Sequence, residues 1–416
     1  MTIAADFDIA IIGGGSVGIS LACALGQINP EPRVVLIEAH DYKHLPPPSF
    51  DSRTVALSYS SRQIFEGLKL WEHIVKQGIS PIEVIHISDR GHPGMTRLTA
   101  REQGVEALGY VIENRVLGEV LFSQLATFQN VTLMAPARME SLTFRGDRVM
   151  LAGSSDNESF ELSARLVIAA DGTQSFVRQY LGISQRHWDY QQTAVIANVA
   201  CDKPHNNIAY ERFTSDGPMA LLPLTDINEA ANRYGLVWTV PRDRVDTVLA
   251  MDDEQFRAEL TSHFGERAGR FVRIGKRASY PLGLTQISEH VRHRLAFIGN
   301  AAHTLHPVAG QGFNLGLRDV AALAQVLQEA LASGNDPGEL NVLQAYANWR
   351  RRDHIQTAMF TDSLVRIFST DFFPLVLARN AGLMAMELFA PLRKRLGRHA
   401  MGYIGRASLL ARGLGL

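Results

Sequence analysis

The chain has 416 residues with 46% hydrophobic and 20% charged side chains, 34 Gly and 17 Pro; this is an ordinary folded balance for two or three domains at about 100–200 residues each, and it excludes extended disorder, collagen-like repeats and a small stapled module. Lys and Arg number 41 against 42 Asp and Glu, a formal net charge of −1, so no global basic excess draws the chain to nucleic acid. Its two cysteines, Cys23 and Cys201, lie far apart and give neither a disulfide framework nor metal-ligand spacing, which points to a reducing, cytoplasmic setting and to no metal site.

Phe7-Asp8-Ile9-Ala10-Ile11-Ile12 is a nearly continuous apolar run, the pattern of a strand buried on both faces of a parallel sheet. Gly13-Gly14-Gly15-Ser16-Val17-Gly18 follows and opens an apolar helical stretch to Leu25; Arg33 to Ile37 is a second strand, ended by Glu38. Asp6 and Asp8 at its start and the glycines within it are wrong for a signal peptide or a membrane span. The spacing Gly13-x-Gly15-x-x-Gly18, with an acidic residue about 20 positions on, is the dinucleotide fingerprint. Gly13 permits the tight turn, Gly15 lets the backbone approach a pyrophosphate, Gly18 lets helix and sheet pack closely, and Ser16 and Val17 open a helix whose free N–H groups favour an anion. The Glu38 carboxylate can accept from a ribose hydroxyl and would repel the 2′-phosphate of NADP, so this pocket is expected to hold FAD or NAD.

Farther along, Leu166 to Ala170 reads as another buried strand running into Asp171-Gly172-Thr173-Gln174-Ser175-Phe176-Val177-Arg178. From about residue 186 to 280 the pattern alternates in strand-like runs, Thr193 to Ala200, Ile208 to Phe213, Met219 to Leu224 and Tyr234 to Val240, with Pro218 and Pro223 bounding or interrupting them. Ile82 to Ser88 is expected to join the same, mostly antiparallel sheet. Leu295 to Ile298 leads into Gly299-Asn300-Ala301-Ala302-His303, and His306-Pro307 leads to Gly310-Gln311-Gly312-Phe313-Asn314, a loop ahead of a helix from Leu315 to Leu331 closed by Gly334-Asn335. Phe372 to Leu416 is largely apolar with helical periodicity, and after Glu387 its charges are all basic: Arg393, Lys394, Arg395, Arg398, Arg406 and Arg412. Such a tail suits peripheral attachment to an anionic membrane surface, and equally a helical cap packed on the rest of the chain or on a partner subunit; Arg379 and Glu387 argue against a span.

The motifs around Gly13, Asp171 and Gly299 to Gly316, in this order, resemble the group A flavoprotein aromatic hydroxylases, the family of para-hydroxybenzoate hydroxylase, from about residue 5 to about residue 330. Phe50-Asp51-Ser52-Arg53-Thr54-Val55-Ala56-Leu57-Ser58, Tyr110-Val111-Ile112-Glu113-Asn114-Arg115 and His306 to Gly316 place the resemblance in the ubiquinone-biosynthesis branch, whose substrates are polyprenylated phenols of the 2-octaprenyl-6-methoxyphenol type. One departure is Gly299-Asn300, where the wider family usually has Gly-Asp; an amide oxygen accepts the same hydrogen bond from the ribityl chain of FAD without the charge.

The resemblance implies an α/β fold: a Rossmann-like FAD-binding domain (1–80, 106–185 and 281–335) with an inserted, mostly antiparallel β-sheet substrate domain (81–105 and 186–280) and a helical C-terminal region (336–416). It implies FAD as cofactor, NADPH or NADH as transient reductant, O2 as co-substrate, and hydroxylation of an electron-rich phenol through a flavin hydroperoxide, with other ubiquinone-biosynthesis proteins as possible partners. It places Arg115 near the FAD phosphates or ribose, Arg53 near the flavin or its nicotinamide partner, Asp171 and Arg178 around the cofactor channel, Asn300 on the ribityl chain, and Pro307, Gly312, Phe313 and Asn314 beside the pyrimidine edge of the flavin, where a positive helix end meets negative charge. His303 and His306 are candidate bases for forming the phenolate, although a structural hydrogen bond is the commoner role for a histidine in such a loop. Phe213, Leu222 and Trp238 are candidates either for the substrate pocket or for the core. Two other readings stand beside this one. A flavin halogenase would carry Trp-x-Trp-x-Ile-Pro, whose first tryptophan is missing from Leu236-Val237-Trp238-Thr239-Val240-Pro241. A scaffold that has lost FAD turnover is disfavoured by the intact glycines, Glu38 and Asp171 and left open by Asn300.

Overall fold

The computed structural model describes residues 6–41, 49–156, 158–225, 232–306, 308–370, 372–403 and 405–416. Phe7–Ile12 lies at the centre of a parallel set, in register with Val34–Ile37 on one side and with the end of Glu158–Ala169 on the other; Val131–Met134 and Leu295–Phe297 extend it outward. Ile9 and Ile11 enter one core and Ala10 and Ile12 another, so the strand is buried on both faces, as its unbroken apolar run requires. The helix Ser16–Leu25 packs between Asn114–Leu125 and the long helix Gln311–Ala332. Ala137–Phe144 and Val149–Ser155 form an antiparallel meander with the first half of Glu158–Ala169.

The second sheet has nine strands among the described residues, in the order His303–Thr304, Ala278–Ile287, Gln185–Cys201, Arg233–Pro241, Gly217–Leu224, Ile208–Thr214, Val84–Asp89 and Met95–Thr99, with Phe271–Ile274 beside Gln185–Cys201. Every pairing is antiparallel except Ile208–Thr214 with Val84–Asp89, which matches the expected mostly antiparallel sheet. Ile82 does not join it: Ser80–Ile82 pairs with Gly109–Glu113, which pairs with Thr54–Ser58 in a separate three-stranded sheet. Pro218 and Pro223 do not interrupt the strand that carries them; they sit near the two ends of Gly217–Leu224, where a missing N–H costs the ladder least. Ala278–Ile287 runs across the expected boundary at residue 281.

The C-terminal helices close the molecule. Leu340–Phe368 lies along Gln311–Ala332, while Phe373–Leu388 and Ala390–Ala400, bent by 101° at Phe389, pack on Met95–Thr99. The buried Arg379 guanidinium pairs with Asp89, Nε to Oδ2 at 2.8 Å, and so clamps this pair to the second sheet. No single helix among the described residues is long and apolar enough to cross a membrane. Cys23 and Cys201 are both free and buried.

Candidate functional site

At the end of Phe7–Ile12 the chain turns through Gly13 at φ +104°, a conformation that L side chains rarely adopt, and a Cβ there would stand 2.6 Å from the carbonyl oxygen of Ala170. At Gly18 a Cβ would come within 1.9 Å of the Gly13 oxygen, so helix and turn touch. Gly15 differs from both. Its φ of −64° suits any residue, yet a Cβ there meets nothing within 4 Å. The space above Gly15, ahead of the first-turn N–H groups of Ser16–Leu25, is what a pyrophosphate needs. Glu38 is fixed beside it: Oε2 accepts from the Gly14 N–H at 2.6 Å and Oε1 from the His40 N–H at 2.8 Å, which leaves lone pairs for a ribose hydroxyl.

Asp171 follows the strand next to this turn. One of its oxygens accepts from the Val177 N–H at 3.1 Å; the other is buried without a hydrogen-bond partner among the described residues. Burial raises its carboxyl above the ordinary value against the opposing bonds from Ser175 and Val177. An orphaned acceptor beside an open glycine turn fits a polar ligand, and together these features fit a dinucleotide. Arg178 braces the same region, donating to the carbonyls of Ala301 at 3.1 Å and Thr173 at 2.5 Å. Arg115 pairs with Glu119 at 2.7 Å while its buried Nε has no partner. Arg53 is exposed, and its charge acts on the Tyr280 hydroxyl.

From this region a cavity of about 830 Å³ opens between three walls. Thr54, Asn300, Gly310, Gly312, Phe313 and Asn314 line it on the nucleotide side. The second sheet contributes Glu211, Phe213, Leu222, Val237 and Tyr280, and the C-terminal helices contribute Phe360, Leu364, Phe368, Leu383, Met386 and Leu396. The third wall was not foreseen from the sequence. Leu383, Met386 and Leu396 belong to the apolar helical stretch from Phe372 to Leu416, whereas Phe360, Leu364 and Phe368 precede it on Leu340–Phe368, and only the tertiary fold shows what they all face.

Gly312, Phe313 and Asn314 belong to the first turn of the helix rather than to a loop before it, since Gly310 at φ +61° ends the preceding turn and Gln311 begins the helix. The Asn314 side chain is spent on the fold: its oxygen accepts from the Ser58 N–H at 2.8 Å and the Ser61 hydroxyl at 2.6 Å, and its amide donates to Ala56 and Gly310. Only its backbone remains for a ligand. Pro307 lies outside the described residues.

Phe213 and Leu222 line the cavity, and Phe213 stacks on Phe368 at 3.7 Å between ring centroids. Trp238 does not. Strand alternation turns Val237 to the cavity and Trp238 to the opposite face, where it is fully buried against Phe256 and His263. Neither candidate histidine is among the lining residues. His303 Nε2 is bound to Asp319 at 2.8 Å in a buried ionic network. His306 accepts from the Val308 N–H at 3.2 Å and packs edge-on against Tyr190, and burial pushes its pKa down to about 4, so it is neutral near pH 7.

His303, Asp319 and His354 stand close enough to hold a metal ion, but Arg350 donates to Asp319 at 2.8 Å and already supplies the positive charge.

The FAD binding domain family model matches residues 6–361. The chain is 40% identical over 395 residues to the ubiquinone hydroxylase UbiL of Rhodospirillum rubrum, covering 95% of this chain and 89% of that one. It is 33% identical over 407 residues to the 3-demethoxyubiquinol 3-hydroxylase of Escherichia coli, covering 95% and 98%. Among solved structures, p-nitrophenol 4-monooxygenase PnpA of Pseudomonas putida superposes with a TM-score of 0.77 at 19% identity, covering 96% of this chain and 98% of that one, a likeness of fold alone.

Proposed function

Because the chain belongs to the FAD binding domain family, we propose that it is an FAD-dependent monooxygenase that hydroxylates the aromatic ring of a polyprenylated phenol in ubiquinone biosynthesis. The observation that carries this reading is the cavity: about 830 Å³, mostly apolar, and walled on one side by the residues of the cofactor cleft. That volume lies at the upper end of the usual range for small-molecule sites and suits a ring with a hydrocarbon chain.

In this reading the open backbone at Gly15 takes the pyrophosphate, with Gly13, Ser16, Val17 and Gly18 shaping the turn, and Glu38 takes the ribose of the adenosine. The unpaired Asp171 oxygen and the buried Arg115 Nε are free to bind polar groups of FAD. The first-turn N–H groups of Gln311–Ala332 would stabilise the flavin, and Asn300, on the cavity wall, would hold the ribityl chain. Bound FAD supplies the oxygen-activating redox chemistry, with NADPH or NADH as reductant and O2 as co-substrate. The chain's part is to orient the ring and exclude water: the apolar walls from the sheet and the C-terminal helices do both.

The division into an FAD-binding domain (1–80, 106–185 and 281–335), a substrate domain (81–105 and 186–280) and a helical C-terminal region (336–416) remains our reading of the chain. The same helices suggest peripheral membrane contact, because Phe373–Leu388 and Ala390–Ala400 line the cavity with Leu383, Met386 and Leu396 while exposing Phe373, Leu377, Leu388 and Phe389 outward.

The test is direct. The purified protein should carry a flavin spectrum, and a prenylated phenol should stimulate NADPH oxidation with transfer of labelled oxygen from O2 to the ring. A colourless protein that cannot be reconstituted would favour the scaffold reading.

A further inference from the structure

Strand pairing places Glu211 beside Ile87 on one neighbour and Ala220 on the other, all three on the cavity wall. Among the described lining residues it is the one carboxylic acid, and none of them is Lys, Arg or His. Its carboxyl has no hydrogen-bond or ion-pair partner among the described residues. The charged groups on its own and the adjacent strand are turned elsewhere: Arg212 to the His263 carbonyl and the Ser88 hydroxyl, His86 to Arg267, and Asp89 to Arg379. The C-terminal helices bring only apolar side chains to the wall, and the nucleotide side brings uncharged ones, among them Thr54, Asn300 and Asn314. The titratable lining groups that remain are Tyr210 and Tyr280, both pushed up by burial and neutral near pH 7.

A carboxyl kept in an apolar wall without a partner is costly for folding, and nothing in the fold uses it. We propose that Glu211 binds the phenolic hydroxyl of the ring to be hydroxylated and takes its proton. This rests on reading the cavity as the phenol site. Desolvation pushes the Glu211 carboxyl up to about 8. Below that pH the neutral acid donates a hydrogen bond to the phenol oxygen. Above it the carboxylate accepts the proton: the phenol O–H bond breaks, the carboxyl O–H bond forms, and the electron pair stays on oxygen, where it raises the nucleophilicity of the ring carbons. The carboxyl returns the proton to the oxygen of the product at the end of turnover.

The experiment uses the full-length holoprotein with a geranylated 2-methoxyphenol and its O-methyl ether. For the unsubstituted protein, kcat/KM for oxygen transfer should rise about tenfold per pH unit up to about 8 and then level off, while Glu211→Gln keeps its flavin and loses both that limb and about 10²-fold or more in rate. Equal rate and equal pH profile in Glu211→Gln would overturn the proposal. A binding arm needs no variant: perturbation of the flavin spectrum should show the phenol bound more tightly than the ether at about pH 9, where the carboxylate accepts from the hydroxyl, with the preference shrinking at about pH 6, where the neutral acid donates to either oxygen; the same preference at both pH values would count against Glu211. A holoprotein that transfers no oxygen to any prenylated phenol refutes the functional reading instead, and the binding arm still reports on Glu211. Glu211→Leu supplies a control for folding, since removal of an unpaired, half-buried carboxyl from an apolar wall should raise the melting temperature, whereas a carboxyl that supported the fold would lower it.

Discussion

Arg350 and Asp319 form a buried ion pair, Nε to Oδ1 at 2.8 Å, that joins the helix of the cofactor cleft to the helix of the C-terminal cap. Asp319 also bonds His303 at 2.8 Å, His354 at 2.6 Å and the Gly299 N–H at 3.3 Å. Burial alone would raise the Asp319 carboxyl; His354, Arg350 and His303 overcome it and hold the group well below the usual range. Replacing Arg350 with Met should therefore destabilise the fold by about 3–5 kcal/mol, because it removes the guanidinium shared by the buried carboxylates Asp319 and Asp353. Urea unfolding should show a lower midpoint, and FAD occupancy should fall as the loop at Gly299 and Asn300 loosens. The double variant with Asp319→Asn should lose less than the sum of the single losses.

Acid should weaken the protein well above the carboxylate range. Burial lowers His306 to about 4 and, with the charges of His354 and His303, lowers His290 to about 3. An unfolded histidine titrates near 6.5, so between about 6.5 and 4 the unfolded chain binds more protons than the folded one. The stability that these groups contribute is complete above about 6.5 and is lost as pH falls through that window. Each histidine adds a slope of about 1.4 kcal/mol per pH unit where it is fully protonated in the unfolded chain and neutral in the folded one. His306→Asn keeps an acceptor for the Val308 N–H and removes one such proton, so its unfolding free energy should depend less steeply on pH between 4.5 and 6. An unaltered slope would contradict the burial assigned to His306.

Two glycines of one turn should respond differently to substitution. Gly15→Val adds bulk where nothing stands within 4 Å at an ordinary φ, so the melting temperature of the apoprotein should hardly change while FAD retention is abolished. Gly13→Ala forces a Cβ to within 2.6 Å of the Ala170 oxygen at φ +104°, and it should lower the melting temperature before any ligand is considered. The ratio of flavin to protein absorbance, read beside a thermal scan of each apoprotein, separates the two effects. Normal flavin content in Gly15→Val would displace the pyrophosphate from this turn.

The contrast shows where residues were legible in order along the chain and where they were not. The first strand, its glycine turn and Glu38 could be read because their chemistry is local: an unbroken apolar run, fixed spacings and an acid at the end of the second strand. The alternating runs from Thr193 to Val240 could be read as strands, but not the face that each side chain takes, and Trp238 was therefore a pocket candidate although it points away. Glu211 was missed for a related reason. Between Tyr210 and Arg212 it reads as an ordinary polar position, and only the packing of the C-terminal helices against the sheet makes its surroundings apolar. A glutamate flanked by apolar residues two positions away, Ala209 and Phe213, was the one signal available.

The C-terminal helices carry the last prediction. Leu388 is 77% and Phe373 is 73% exposed, with Phe389 and Leu377 close behind, a grouping of large apolar side chains beyond what a water-facing helix pair needs. Of the basic residues expected to meet lipid, Arg393 is bound to Glu102 at 2.7 Å and Arg406 lies over the Trp349 ring at 4.3 Å, so fewer charges are available than the sequence suggests. Attachment should then depend on the apolar face more than on charge. Burying a Leu or Phe side chain contributes about 1.5–3 kcal/mol, so Leu388→Glu with Phe389→Glu should reduce co-sedimentation with vesicles by about 10²-fold or more. Lys394→Ala with Arg395→Ala should have a smaller effect that disappears at high salt. Flavin content should be unaffected in both variants, because Leu383 and Met386 on the inner face still close the cavity. Equal sedimentation of the glutamate variant and the unsubstituted protein would leave these helices only their packing role.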